Sequence, residues 1–227
     1  MKLGFLKEVY VHESRVAITP EVAKKLGEFG YEINFEKDAG LSSGFTNEIY
    51  LKNNAAIEKT REKILSESDL IITVSPLSAA DVALIKKSAI LVGMLKPFKH
   101  GELFESYNAN QISAFSLELI PRITRAQTMD VLSSQSNLAG YRSVIEGAHF
   151  FGRALPLMMT AAGTIQAAKV LVLGAGVAGL QAIATAKRLG AIVSAFDVRS
   201  AAKEQVQSLG ASFVEVSASE VGDGAGG

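Results

Sequence analysis

Apolar and polar positions follow two rhythms along this chain. Behind Thr19-Pro20, a hydroxyl N-cap followed by proline at the first helical position, Glu21 to Phe29 carries apolar residues at helical spacing and stops at Gly30. A helix is expected there. Tyr31 to Phe35 alternates as a half-buried strand does. Asp69 to Val74 and Ala89 to Leu95 instead carry continuous apolar runs, the pattern of strands covered on both faces. Between these two, Ser78 to Lys87 reads as a helix, with Ser78 placed to cap it and Asp81 near its positive end. Gln111 to Leu117 supplies a further strand. Residues 1 to about 118 therefore predict an open, largely parallel sheet with helical crossovers.

Leu119 to Asp130 breaks this rhythm. With Pro121, two arginines and little apolar periodicity, it reads as an ordered loop without elements of its own. From Asp130 to about Leu155, the positions of Val131, Leu138, Tyr141, Val144, Ile145, Ala148 and Phe151 are helical, which predicts a long helix able to join two domains. A second unit follows: a buried strand at Lys169 to Leu173, a helix at Val177 to Leu189 ending at Gly190, and a strand at Ile192 to Phe196. Ser200 to Leu209 reads as a helix ending at Gly210, Ser212 to Val216 as a third strand, and Gly222 to Gly227 as a flexible tail.

Composition narrows the classes of function. Lys and Arg number 23 and Asp and Glu number 23, so no charge surplus points to nucleic acid. With no cysteine, disulfides, thiolate nucleophiles and cysteine-ligated metals are excluded. The first residues lack the apolar region of a signal peptide, and no stretch approaches the ~18 apolar residues that span a bilayer, so a cytosolic product is expected.

One motif carries chemistry. Gly174-Ala-Gly176-Val177-Ala178-Gly179 follows a strand and opens a helix, and Asp197 ends the next strand, 18 residues beyond Gly179. In such a unit the first glycine permits the tight turn, and the second lets backbone approach a pyrophosphate. The third lets the helix pack on the sheet, and the acid takes the adenosine ribose hydroxyls. Against this stands a merely structural glycine turn. Asp197 favours NAD, because it would repel the 2′-phosphate of NADP, while Arg199 stands on the other side because an arginine can accept that phosphate. The fold class read from these features is α/β, with two Rossmann-like open parallel-sheet domains joined by a long helix. The domains expected are 1–129 and 161–227 with residues 130–160 between them, the second domain being C-terminally incomplete. In the strand order of a doubly wound sheet, Val170 to Leu173 would be paired by Ile192 to Phe196 on one side and left open on the other.

Other candidates are weaker. His12, His100 and His149 are far apart, without acids or other histidines at ligand spacing, so surface or packing roles are expected and no metal site is indicated. Met158-Met159 reads as packing. Arg122, Arg125, Gln127, Asp130, Ser133, Ser134, Gln135 and Asn137 form a polar cluster with two readings: a helix N-terminus capped by Asp130 with solvated neighbours, or a ligand-binding loop at the carboxyl end of a parallel sheet. The serines lack a paired histidine, which argues against a nucleophilic triad.

The segments Pro121 to Asp130, Ser133 to Tyr141, Met159 to Gly163, Gly174 to Gly179 and Asp197 to Arg199 resemble the NAD(H)-binding component of proton-translocating NAD(P) transhydrogenases, the alpha subunit or its split first segment. The resemblance covers the whole chain. Arg15 to Pro20 is shared with the related alanine dehydrogenases, which hold their keto acid with a lysine where this sequence has Val74-Ser75-Pro76 and carry a histidine where it has Met94-Leu95-Lys96. Alanine chemistry is therefore the second reading, and a catalytically silent NAD-binding fragment the third. The resemblance implies that Arg122, Gln127, Asp130, Ser133 and Tyr141 surround the nicotinamide. Within that group, Asp130 and Ser133 would orient the carboxamide and Gln127 would point towards the partner. The other cofactor-binding positions would be Gly174, Gly176, Val177, Ala178, Gly179, Asp197, Val198 and Arg199. No catalytic residue is expected, because hydride would pass directly from NAD(H) on this chain to NADP(H) on a partner component. The resemblance further implies membrane-spanning partners, a homodimer, and a place peripheral to the cytoplasmic face of the inner membrane. The family also continues beyond the point where this sequence stops, with further Rossmann strands and a mobile loop.

Overall fold

A computed structural model describes residues 1–58 and 60–215. The chain divides into two compact units, Met1–Asp130 and Val131 onward. The first unit contains β1 (Lys2–Phe5), α1 (Pro20–Glu28), β2 (Glu32–Glu36), α2 (Asn47–Lys52), β3 (Ala55–Glu58) and α3 (Arg61–Glu67). These are followed by β4 (Leu70–Ile72), α4 (Ala79–Leu84), β5 (Ile90–Gly93), α5 (Leu103–Ala109) and β6 (Ser113–Ser116). Its six strands are all parallel, in the order β3-β2-β1-β4-β5-β6.

Alternation along these strands builds two cores. Leu3, Phe5, Ile33 and Phe35 meet Ala23 and Tyr50 on one face, whereas Ile71 and Leu91 meet Ile64, Leu65 and Val82 on the other. Tyr50 stacks on Phe35 at 3.8 Å and donates its hydroxyl to the Ile18 carbonyl at 2.6 Å, so its one polar atom is satisfied inside the core. Burial pushes that phenol up to about 12.

Helix α1 starts where the sequence indicates, with the Val22 N–H donating to Thr19 Oγ1. The helix expected at Ser78 to Lys87 is shorter: Ser78 caps it, but Ile85 is already extended. The strand expected at Gln111 to Leu117 is also shorter, because Gln111 has φ 57° and cannot lie in a ladder. Leu119 to Asp130 is not devoid of elements. It follows a 3-10 turn at Leu117–Leu119 and contains another at Thr124–Met129, anchored by the buried Ala126.

The second unit contains α6 (Val131–Phe151), β7 (Met158–Thr160), β8 (Gly163–Ile165), β9 (Lys169–Leu173), α7 (Val177–Arg188), β10 (Ile192–Phe196), α8 (Ala202–Ser208) and β11 (Ser212–Phe213). Helix α6 ends before the expected Leu155, as Gly152 turns the backbone to φ 68°. Strands β7 and β8 form an antiparallel pair that the apolar pattern did not announce. Met158 and Met159 are not packing residues: they lie on that pair, 48% and 73% exposed. The parallel sheet has the order β11-β10-β9. Its core joins Ile183 and Ala186 of α7, Val193 and Ala195 of β10, and Ala202 and Val206 of α8. Val216 and the glycine-rich tail lie outside the described residues. Among the described residues no helix is long and apolar enough to cross a membrane.

Candidate functional site

The turn between β9 and α7 is built by three glycines doing three different things. Gly174 adopts φ +95°, a conformation that side chains disfavour, and its N–H donates to the Phe196 carbonyl at 2.8 Å. Gly176, the N-cap of α7, faces open space where a Cβ would stand. Gly179 has no such room, since a Cβ would lie 1.8 Å from the Gly174 carbonyl oxygen. The helix is thereby pressed against the turn that precedes it. From the other side α6 crosses closely at Gly140, where a Cβ would come within 2.1 Å of the Ala178 carbonyl oxygen.

The first intrahelical bond of α7 runs from the Leu180 N–H to the Gly176 carbonyl at 2.8 Å. The N–H groups of Val177, Ala178 and Gly179 therefore have no acceptor within the helix, and they carry the positive end of the helix dipole. The open space in front of Gly176 lies beside them. This is a cradle shaped for an anion that approaches backbone, and its residues fit the pyrophosphate of a dinucleotide.

Asp197 stands at the end of β10, its side chain only 6% exposed. Its Oδ2 accepts the Ala175 N–H at 2.6 Å, which ties the acid to the glycine turn. Arg199 donates its backbone N–H and Nε to Oδ1 at 2.9 and 3.0 Å, and Nη2 to Oδ2 at 3.2 Å. The Arg199 guanidinium holds the carboxyl far below the usual aspartate range, burial opposes it, and the N–H groups of Arg199 and Ala175 add to the lowering. The acid is charged at neutral pH. Val198 between them is 62% exposed.

Gly174, Gly176 to Gly179 and Asp197 to Arg199 thus come together within one unit. The nicotinamide set is divided: Arg122, Gln127 and Asp130 belong to the first unit, Ser133 and Tyr141 to the second. Arg122 and Gln127 are exposed on and beside the 3-10 turn at Thr124–Met129, Ser133 is partly buried on α6, and Tyr141 is 49% exposed. Two contributors escaped the sequence reading. Ala175 donates to Asp197 through its backbone, which no side chain reveals, whereas Gly140, a glycine inside a helix, was a readable sign of close approach.

The positions that matter to the second reading lie in the first unit and are otherwise engaged. Arg15 donates Nε and Nη2 to Glu13 at 2.8 and 2.7 Å. Ser75 is buried, with its N–H on the Glu8 carboxylate at 3.1 Å, and Lys96 Nζ lies 5.7 Å from the Tyr10 ring centre. Burial pushes the Glu8 carboxyl up, against the lowering effect of the Val74 and Ser75 N–H groups. Of the histidines, His100 pairs with Glu102 at 3.2 Å and His149 stands edge-on to Phe150.

A doubly wound sheet in one unit and a glycine turn tied to an acid in the next define an α/β protein of the nucleotide-binding kind. The alanine dehydrogenase/PNT N-terminal domain matches residues 4–139 and the corresponding C-terminal domain matches residues 143–223, so the chain belongs to that family. It is 51% identical over 218 residues to the first segment of the split NAD(P) transhydrogenase alpha subunit of Rickettsia prowazekii, a match covering 94% of this chain and 57% of that protein. The chain thus spans somewhat more than half the length of that relative. Transhydrogenase from Sinorhizobium meliloti superposes with a TM-score of 0.91 at 47% identity, covering 95% of this chain and 64% of the other. An L-alanine dehydrogenase structure superposes with a TM-score of 0.83 at 26% identity, over 94% of this chain and 60% of the other.

Proposed function

We propose that this chain is the NAD(H)-binding component of a proton-translocating transhydrogenase, delivering hydride between NADH and an NADP held by a partner component. The observation that carries the reading is the Gly174 to Gly179 turn with the Asp197 carboxylate bonded to its Ala175 N–H, in a chain 51% identical to the first segment of a transhydrogenase alpha subunit. The first N–H groups of α7 would hold the pyrophosphate, and Asp197 would hold the adenosine ribose. Arg122, Gln127, Asp130, Ser133 and Tyr141 would position the nicotinamide, with Gln127 directed to the partner. When bound, the nicotinamide ring supplies the hydride chemistry, so the protein's task is positioning and no general base is required of it. In this reading the partners include NADP-binding and membrane-spanning components, and the chain acts as a homodimer peripheral to the cytoplasmic face of the inner membrane.

Alanine dehydrogenase chemistry is the second reading, supported by the match to that family's two domains. Against it stand Arg15, held to Glu13 through Nε and Nη2, and the buried Ser75, which has no cationic donor to offer where those enzymes carry a lysine.

Calorimetric titration of the chain with NADH and NADPH tests the proposal. NADH binds more tightly, and Asp197→Asn narrows the difference by removing a charge that repels the 2′-phosphate. Equal affinities in the unsubstituted chain overturn the assignment. In a version extended to the family's full length, with the NADP-binding partner added, Gln127→Ala impairs hydride transfer more than NADH binding. Pyruvate- and ammonia-dependent NADH oxidation would move the ranking to the second reading.

A further inference from the structure

We propose that Arg199 is a displaceable cover on the Asp197 carboxylate, and that its displacement sets which nicotinamide nucleotide the second unit prefers. The inference rests on the dinucleotide reading of this site. A carboxylate offers about four lone-pair positions, and here each oxygen already holds one backbone and one guanidinium donor. An adenosine ribose that donates a hydroxyl to Asp197 must take the place of one of them. The backbone donors cannot leave: the Ala175 N–H belongs to the glycine turn, and the Arg199 N–H is fixed by the bend that follows β10. The guanidinium can, because it sits at the end of a flexible side chain that is 29% exposed.

Two consequences follow, with opposite signs. For a ribose with free hydroxyls, Arg199 is a competitor, since every bond made to Asp197 displaces a charge-assisted one. For a ribose carrying a 2′-phosphate, the same guanidinium is a cation already in contact with the acid that repels the ligand, and once it swings away it pairs with the phosphate. Arg199 thus weakens the binding of NADH and rescues that of NADPH. A simple contact to either nucleotide alone would not produce both effects.

The test is titration of the 227-residue chain, with Arg199→Ala and Arg199→Lys, against NADH and NADPH at low and moderate salt. Arg199→Ala tightens NADH and weakens NADPH, each by about three- to tenfold, so that the ratio of affinities moves by about tenfold or more. Arg199→Lys, which keeps the charge but loses the two-pronged bond, tightens NADH while retaining most of the NADPH affinity. It also guards against a misfolded alanine variant, and thermal melting of both variants checks folding directly. Weaker binding of both nucleotides to a folded Arg199→Ala chain, or an unchanged ratio, overturns the proposal. Absence of binding of either nucleotide to the unsubstituted chain overturns the dinucleotide reading itself, and with it this inference.

Discussion

Strands β1 and β9 hold corresponding places in their sheets and meet different fates. Both follow the same description in sequence, a lysine and then a short apolar run, and both are flanked by the second strand of their parallel sheet, with the third strand beyond it. Strand β1 is also paired on its other side, by β4. The Met1 carbonyl accepts from Glu32 N–H on one side and the Lys2 carbonyl from Asp69 N–H on the other, so successive peptide groups serve both neighbours. Leu3, Gly4 and Phe5 are buried, with Ala23 and Tyr50 against Leu3 and Phe5 on one face and Ile64 beside Gly4. Strand β9 is paired only by β10 among the described residues. Its Val170 and Val172 pack on the core shared with α7, but Leu171 and Leu173 are 58% and 74% exposed beside a groove of about 410 Å³ that α6 helps to line. Apolar content does not bury a strand; the elements on its two faces do.

The largest expected difference is in amide exchange. The Ala168 carbonyl and the Gly174 N–H both bond across to β10, so by alternation the N–H groups of Leu171 and Leu173 face the unpaired edge. Hydrogen exchange followed by NMR shows these two amides exchanging at least about a thousandfold faster than those of Leu3 and Phe5. Strong protection at Leu171 would break the comparison, because it would mean that a further strand pairs with β9 in solution.

Leucine truncation sharpens the same contrast. Leu91→Ala in β5, at a fully buried position, lowers the stability of the first unit by about 2–5 kcal/mol. Leu171→Ala in β9 changes that of the second by no more than about 0.5 kcal/mol, as its side chain has little contact to lose. Denaturant unfolding monitored separately in each unit distinguishes the two. A large loss at Leu171 would show that its face is covered.

The smallest stability effects separate two glycines inside one turn. Gly179→Ala forces α7 away from the Gly174 carbonyl and destabilises the second unit by about 1–3 kcal/mol, with loss of NADH binding. Gly176→Ala meets nothing within 4 Å and leaves stability nearly unchanged. Its methyl group nevertheless stands where a pyrophosphate would approach, and NADH affinity falls by about tenfold or more. Thermal melts paired with titrations read both quantities. Equal effects at the two positions would remove the distinction between a packing glycine and a ligand-facing one.

What could be read without the structure was what is decided within a few residues. Thr19-Pro20 and Gly30 bound α1 because capping is local, and Gly174 to Gly179 could be assigned to a strand–turn–helix because the positive φ at Gly174 and the close approach at Gly179 are backbone requirements that glycine meets. Elements too short to display a period were missed. Helices α2, α3 and α5 have six or seven residues, and β3 has four, so their stability comes from packing and not from pattern. Ala126 explains why Leu119 to Asp130 is structured: one buried methyl anchors a segment that looks polar throughout.

The sequence by itself determined the α/β class, the position of the glycine turn, and the acid that serves it. The tertiary structure alone decided how those pieces are spent. It tied Asp197 to the Ala175 N–H, because a hydrogen bond between residues distant in the chain depends on where β9 and β10 come to lie side by side. It also left Leu171 and Leu173 exposed in a run that reads as fully buried, since burial belongs to the neighbours a strand acquires and not to the strand.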